Sequence, residues 1–145
     1  MSPRGPARLS AGVIVVRRAP EGWLFLLLRA YRNWDFPKGL VEAGEAPLTA
    51  ARREVEEETL IADLQFSWGE AFIETAPYAN HKVARYYLAQ TTTAAVSLPV
   101  NPELGRPEHH ESRWFTLEEA LAHSSPRLAP VIRWGARMLG VAADP

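Results

Sequence analysis

The sequence predicts an α/β protein in which a mixed β-sheet is sandwiched between helices, and three observations lead there. Residues 11–18 and 23–30 are β-branched or aliphatic runs parted by Ala19-Pro20-Glu21-Gly22, which reads as two strands joined by a turn. Their hydrophobicity is continuous rather than alternating, so both faces of these strands are covered. The pattern then changes to helical periodicity after Pro47, and strand-like runs at 64–74 and 81–90 precede two further helical segments, so strands and helices interleave.

Residues 1–8 carry Pro3, Gly5 and Pro6 with two arginines, a composition that packs poorly and predicts a flexible arm ahead of a single domain over residues 9–145. After the first two strands, residues 31–35 lead into Phe36-Pro37-Lys38-Gly39, where proline favours extended backbone and brings Lys38 to the mouth of the next loop. Gly39-Leu40-Val41-Glu42-Ala43-Gly44 is a tight glycine-bounded loop, and Pro47 suits the first turn of the helix behind it. The runs at 64–74 and 81–90 are separated by a loop containing Pro77, Tyr78 and Asn80. In the second run, alternation sets Ala84, Tyr86 and Leu88 on one face and Val83, Arg85 and Tyr87 on the other, which leaves one tyrosine to face a cleft. Residues 98–107 hold three prolines, a glycine and Asn101, a long loop of the kind that carries function. Residues 112–115 form a short strand, Thr116-Leu117-Glu118-Glu119 a capping box, and residues 130–139 an amphipathic helix ending before Gly140.

Composition excludes several function classes. The 145 residues fit one domain, and 47% hydrophobic content is ample for a single core. A net charge of -1 gives no global basic field for duplex nucleic acid or a membrane surface, so any phosphate recognition is local. Zero cysteines exclude a disulfide framework, a thiolate nucleophile and a Cys-based zinc site. The apolar runs are too short to span a bilayer, and the N-terminus lacks the apolar region of a signal peptide; the expected location is the cytoplasm.

The chemistry concentrates on the predicted helix. Glu54, Glu57 and Glu58 fall at i, i+3 and i+4, an arc of about 100° on one helix face. Leu48, Ala51 and Val55 make an apolar stripe beside that arc. Like charges so placed repel by about 0.2–0.5 kcal/mol per pair, which a bound cation reverses. Hard carboxylate oxygens without cysteine or a close histidine pair favour Mg2+ or Mn2+ over zinc. Arg52 and Glu56, at i and i+4 outside the arc, read as a solvent-facing pair. The spacing of Gly39 and Gly44 nearly spells a phosphate-cradling loop, but Glu45 and Ala46 stand where that loop needs Lys and Ser or Thr.

Gly39, Glu45, Arg53, Glu54, Val55, Glu57, Glu58 and Ile61 fill a fixed frame: Gly, five residues, Glu, seven residues, then Arg-Glu-apolar-any-Glu-Glu-any-Gly-apolar. In this frame the chain resembles the Nudix hydrolases. One position departs, because Leu60 stands where that family has its second glycine, at a cost of about 1–2 kcal/mol if the residue is left-handed. The resemblance implies a Nudix-type α/β/α sandwich and hydrolysis of a pyrophosphate bond by a metal-activated water. It implies Glu54, Glu57 and Glu58 as metal ligands, Glu58 or a loop glutamate as base, and Arg53 with Glu45 as supports between loop and helix. A fourth acid is expected outside the helix, Glu108 first and Glu111 second, in Pro107-Glu108-His109-His110-Glu111. Adjacent side chains on extended backbone point opposite ways, so at most one of His109 and His110 meets phosphate or metal. His81 and His123 are expected to have no catalytic role.

Beyond the frame, the chain is similar to the asymmetric diadenosine tetraphosphate hydrolases through Ala11-Gly12-Val13-Ile14, Phe25-Leu26-Leu27-Leu28, Trp34, Pro37-Lys38-Gly39, Tyr86-Tyr87-Leu88-Ala89, Glu108-His109 and Arg113-Trp114. This implies a small-molecule nucleotide substrate, with Tyr86 stacked on an adenine and Lys82 and Lys38 on the polyphosphate, and products ATP and AMP. The rival readings are an RNA 5′-pyrophosphohydrolase, a nucleoside triphosphate pyrophosphatase and a non-catalytic nucleotide-sensing module.

Overall fold

The computed structural model describes residues 8–141. Its elements in order are β1 (Arg8–Ala19), β2 (Gly22–Ala30), β3 (Asn33–Asp35), β4 (Lys38–Leu40), α1 (Pro47–Thr59), β5 (Phe72–Glu74), β6 (Lys82–Gln90), β7 (Val100–Asn101), β8 (Arg106–Pro107), β9 (Glu111–Phe115), α2 (Leu117–His123) and α3 (Ala129–Leu139). The strand β1 organises the sheet. One edge pairs in parallel with β6 from Arg8–Lys82 to Val16–Gln90. The other edge is shared between two antiparallel partners, β4 at Ser10–Gly12 and β2 at Val16–Ala19. The path β3-β2-β1-β6-β5, with β4 added on β1 and β9 on β2, makes a mixed sheet of seven strands.

Alternation along the strands feeds two cores. Ala11, Val13 and Val15 of β1, with Tyr87 and Ala89 of β6, pack against Ala50, Ala51 and Val55 of α1. Ile14 and Val16, with Ala84, Tyr86 and Leu88, pack on the opposite face against Ala120 of α2 and Val131 and Ile132 of α3. The result is the α/β/α sandwich read from the interleaved pattern. Among the described residues no helix is long and apolar enough to cross a membrane.

Three local expectations change and a fourth is extended. Arg8 opens β1 instead of ending a loose arm; the rest of that arm lies outside the described residues. The run at 64–74 is a strand only at Phe72–Glu74: Gln65 forms a single bridge with Gln90, and a turn at Phe66–Gly69 interrupts the pairing, with Gly69 at φ +79. The long loop at 98–107 contains the β7–β8 hairpin. Arg52 and Glu56 are both exposed, as read, but Arg52 also lies over the Phe66 ring at 5.3 Å and Glu56 also lines a cleft.

Candidate active site

The loop before α1 is held close to the sheet by small residues. A Cβ on Gly12 would lie 2.3 Å from the Pro37 carbonyl oxygen, and a Cβ on Gly39 would lie 2.1–2.3 Å from the Glu54 carboxylate. Gly39 is therefore glycine because the helix's first acid occupies the space of its side chain. Gly44 takes a positive φ of +79 at the turn that reverses the chain toward α1. The helix has no side-chain cap at Ala46, opens on Pro47, and ends at Leu60 with φ 62 and ψ 12. Leu60 thus occupies the left-handed position where glycine would be free of strain.

Arg53 is the hub of the loop and helix. Its guanidinium donates to both oxygens of Glu45 at 2.8 and 2.9 Å, to Glu54 at 2.9 Å, to Glu57 at 3.2 Å and to the Leu40 carbonyl at 3.2 Å. Glu45 also accepts from the Glu42 backbone N–H at 3.0 Å. The Arg53 hydrogen bond, above all, draws the Glu45 carboxyl down to about 2, and these carboxylates in turn raise the Arg53 guanidinium further.

Glu58 differs from its neighbours. It is buried, and neither of its carboxylate oxygens has a hydrogen-bond partner. Burial first, and then the Glu54 and Glu108 carboxylates, push its carboxyl well above the usual range, with Lys38 acting in the opposite direction. His109 Nδ1 lies 3.9 Å from Glu58 Oε1. Burial lowers that imidazole to about 4, so at neutral pH it is uncharged and gives Glu58 no ion pair. Among the described residues no three acidic or histidine side chains already converge as a ligand set, because Arg53 engages Glu54 and Glu57. The donors nevertheless fit a hard divalent cation: they are carboxylate oxygens, and Glu58 is an orphaned buried acid at their centre.

A cleft of about 1340 Å³ contains Lys38, Glu54, Glu57, Glu58, Lys82, Glu108 and His109, so the structure brings most of the expected site residues into one place. Glu111, the second choice for a fourth acid, does not line this cleft and pairs with Arg29 at 3.0 Å and Arg113 at 2.8 Å. His110 turns away to meet the edge of Tyr31, with ring centroids 4.8 Å apart.

The expected role of Tyr86 is overturned. Its side chain is 0% exposed, its hydroxyl donates to Asp35 Oδ1 at 2.7 Å, and its ring meets Phe36 edge-on within the core. Alternation on β6 was read correctly, but both faces of this central strand are covered, so neither Tyr86 nor Tyr87 is open to a base. The tyrosine that lines the cleft is Tyr78, whose ring lies 4.2 Å from the Arg127 guanidinium carbon. Arg127 is in turn 3.6 Å from Asp35 Oδ2. Sequence reasoning missed this pair, although an aromatic in a proline-bounded loop four residues before Lys82 was a usable signal.

The family profile described as the NUDIX domain matches residues 6–135. The asymmetrical bis(5'-nucleosyl)-tetraphosphatase of Caenorhabditis elegans is 33% identical over 118 residues, covering 77% of this chain and 81% of that protein. The RNA pyrophosphohydrolase of Bartonella bacilliformis is 37% identical over 137 residues, covering 78% of this chain and 79% of its own. Among solved structures, a binary complex of the C. elegans Ap4A hydrolase has a TM-score of 0.76 at 26% identity, covering 90% of this chain and 98% of that one. The match runs through the glycine loop, the Arg53 hub and the acidic helix, and on this ground the chain belongs to the Nudix hydrolase family.

Proposed function

We propose that this protein hydrolyses a dinucleoside tetraphosphate asymmetrically, with Mg2+ or Mn2+ held by Glu54, Glu57, Glu58 and Glu108. The observation that carries the reading is Glu58, a buried carboxylate with no partner of its own, set among acids in a cleft that also presents Lys38 and Lys82. A divalent cation there supplies charge neutralisation of the polyphosphate and a lowered pKa for water. The chain's own residues do the rest. Arg53 orders Glu45, Glu54 and Glu57, Lys38 and Lys82 pair with phosphate oxygens, and Glu58 would help to hold the cation and would be the carboxylate placed to take the proton of the attacking water. Neutral His109 closes the cleft beside Glu58. Tyr78, backed on one face by Arg127, offers its other face to an adenine, and this fixes the register of the chain so that the cut falls off-centre. The similarity to an asymmetrical tetraphosphatase over most of both chains supports this substrate.

The test is a substrate panel with Mg2+, resolved by chromatography. Diadenosine tetraphosphate is expected to give ATP and AMP together, and in ¹⁸O-labelled water one product is expected to carry the label on its new terminal phosphate. Two molecules of ADP would overturn the register. Release of pyrophosphate from triphosphorylated RNA, with the dinucleotide left intact, would favour the RNA reading that the Bartonella relative raises.

A further inference from the structure

The corner of the cleft at Tyr78 holds a guanidinium that the protein itself leaves incompletely bonded. Arg127 lies in the connection between α2 and α3, where the Ser125 carbonyl accepts from the Leu128 and Ala129 N–H groups at 3.0 and 3.1 Å. From there its side chain crosses to the loop before β6 and sets its guanidinium carbon 4.2 Å from the centre of the Tyr78 ring. Both residues line the catalytic cleft. Arg127 Nη1 is buried and has no hydrogen-bond partner. Nη2 faces Asp35 Oδ2 at 3.6 Å, beyond hydrogen-bond range. The neighbouring acceptors are engaged elsewhere. Asp35 Oδ1 takes the Tyr86 hydroxyl and the Phe36 N–H, each at 2.7 Å. Glu74, which shares a smaller cavity with Tyr78 and Arg127, pairs with Arg85 at 2.8 Å. Among the described residues that line the cleft, Glu58 and Arg127 alone carry buried polar side-chain atoms without a partner. They are opposites: the first lacks a cation and the second lacks an acceptor.

The turn that carries Tyr78 is a second sign that this corner serves a ligand. Tyr78 and Lys82 exchange both backbone hydrogen bonds, at 2.9 and 2.7 Å, across a turn in which Ala79, Asn80 and His81 take φ of 33, 60 and 66. Three successive non-glycine residues in the left-handed region are strained, and the strained turn fixes a ring suited to a base beside a cation suited to its phosphate. A nucleoside stacked on Tyr78 brings its own 5′-phosphate to this corner, since only the sugar parts the two. A guanidinium is planar, permanently charged and forked, so it can lie against an aromatic face and still aim N–H donors in its plane at phosphate oxygens. A sugar hydroxyl or a base edge would need only a neutral donor. We propose that Arg127 binds the phosphate adjoining the nucleoside on Tyr78, donating through Nη1 while its face backs the ring. Nη1 breaks no hydrogen bond in turning to that phosphate. The inference rests on the Tyr78 reading above and deepens it, because it names a residue that favours nucleotides over nucleosides.

The experiment measures dissociation constants of adenosine and of AMP for the wild type, Arg127→Met, Arg127→Lys and Tyr78→Ala, in excess chelator so that no metal bridges the phosphate. Arg127→Met keeps an apolar stem in a side chain that is 32% exposed, so its thermal midpoint should stay near that of the wild type. In Arg127→Met the ratio of the AMP constant to the adenosine constant is expected to rise about tenfold, the scale of one charge-assisted hydrogen bond, and Arg127→Lys is expected to recover part of that loss. An unchanged ratio, with both ligands weakened alike or neither weakened, would overturn the phosphate contact and leave the dinucleotide reading intact. Should Arg127→Met fail to fold, wild-type protein with ¹⁵N-labelled arginine decides the matter. Its Arg127 guanidinium signal, identified by its absence from Arg127→Lys, is expected to move farther with AMP than with adenosine, and equal movement would overturn the contact. A Tyr78→Ala variant that binds adenosine as the wild type does would show that the base does not stack there, overturning that part of the proposed function and this inference with it.

Discussion

Replacing Gly39 by alanine should separate catalysis from stability. The added methyl would lie 2.1 Å from Cδ and 2.2 and 2.3 Å from the two oxygens of Glu54, where unstrained contacts to carbon need about 3.5 Å, so the carboxylate must retreat by more than about 1 Å. It would then leave the Arg53 Nη1 that it now meets at 2.9 Å. The obstructing atoms are the end of a flexible side chain, so overpacking here costs the fold only about 1 kcal/mol. Catalysis has no such slack, because a misplacement of about 1 Å in a reacting site costs roughly 10²-fold. Gly12→Ala is the contrast: its methyl would meet the Pro37 carbonyl at 2.3 Å, which is backbone, and about 3 kcal/mol or more of stability should go. Gly44→Ala meets nothing within 4 Å and bears only the strain of φ +79, about 1 kcal/mol, with kcat retained. Chemical denaturation and steady-state kinetics on the three variants give both axes. A Gly39→Ala protein with wild-type kcat would refute the claim that the Glu54 carboxylate must sit against the loop.

Three further outcomes follow from the geometry. Glu58→Gln removes charge from a buried position with little change of shape, so the fold should hold while kcat falls by about 10²-fold or more, and excess chelator should abolish turnover in the wild type; activity surviving either treatment would remove Glu58 from the chemistry. The Asp63 carboxyl, bonded first to the Thr91 hydroxyl and then to Thr92 and Thr93, is drawn down to about 2, so its contribution to stability is complete above about pH 4 and disappears as pH falls toward 2; Asp63→Asn should flatten that part of the urea-unfolding profile, and an unaltered slope would contradict it. Tyr86→Phe deletes a buried bond to Asp35 and should cost about 1.5–3 kcal/mol with KM unchanged, whereas Tyr78→Ala should raise KM by the equivalent of about 1–3 kcal/mol with the fold kept; the opposite pattern would return the base to Tyr86.

How much could be read without the structure depended on the range of the interactions involved. The acidic arc, the apolar stripe of α1 and the capping box at Thr116 are properties of a few consecutive residues, and Thr116 and Glu119 do exchange both bonds of that box. Strand alternation was equally local, and the division of β6 into Ala84, Tyr86 and Leu88 against Tyr87 and Ala89 follows it. What alternation omits is whether a face is covered. β6 lies between β1 and β5 with helices on both sides, so parity assigned Tyr86 to a face but could not reveal that Phe36 and Asp35 close over its ring and hydroxyl. Glu108 stood ahead of Glu111 as the fourth acid, but sequence showed only part of what claims Glu111: Arg113 stands two residues along the same strand, whereas Arg29 comes from β2 and meets it only through the β2–β9 pairing.

The division of charge around Arg53 joins these observations. One guanidinium faces several carboxylates and satisfies those its fork can reach, Glu45 on both oxygens and Glu54 and Glu57 on one each. Glu58 sits one residue beyond Glu57 but on the inner side of the helix, beside buried Val55 and Thr59, where that fork does not extend. A buried acid that the protein itself leaves without a donor is costly as an anion. Under the proposed function that cost would have a use: the acid whose charge is least stabilised by protein would gain most from a cation, and a polyphosphate arriving with a divalent ion would relieve the cost as it binds. Binding of substrate and ion should therefore be mutually reinforcing, and Glu58→Gln should weaken that coupling more than it weakens the binding of either alone. Isothermal titration of Mn2+ with and without a non-hydrolysable tetraphosphate measures the coupling, and equal coupling in the variant and the wild type would refute it.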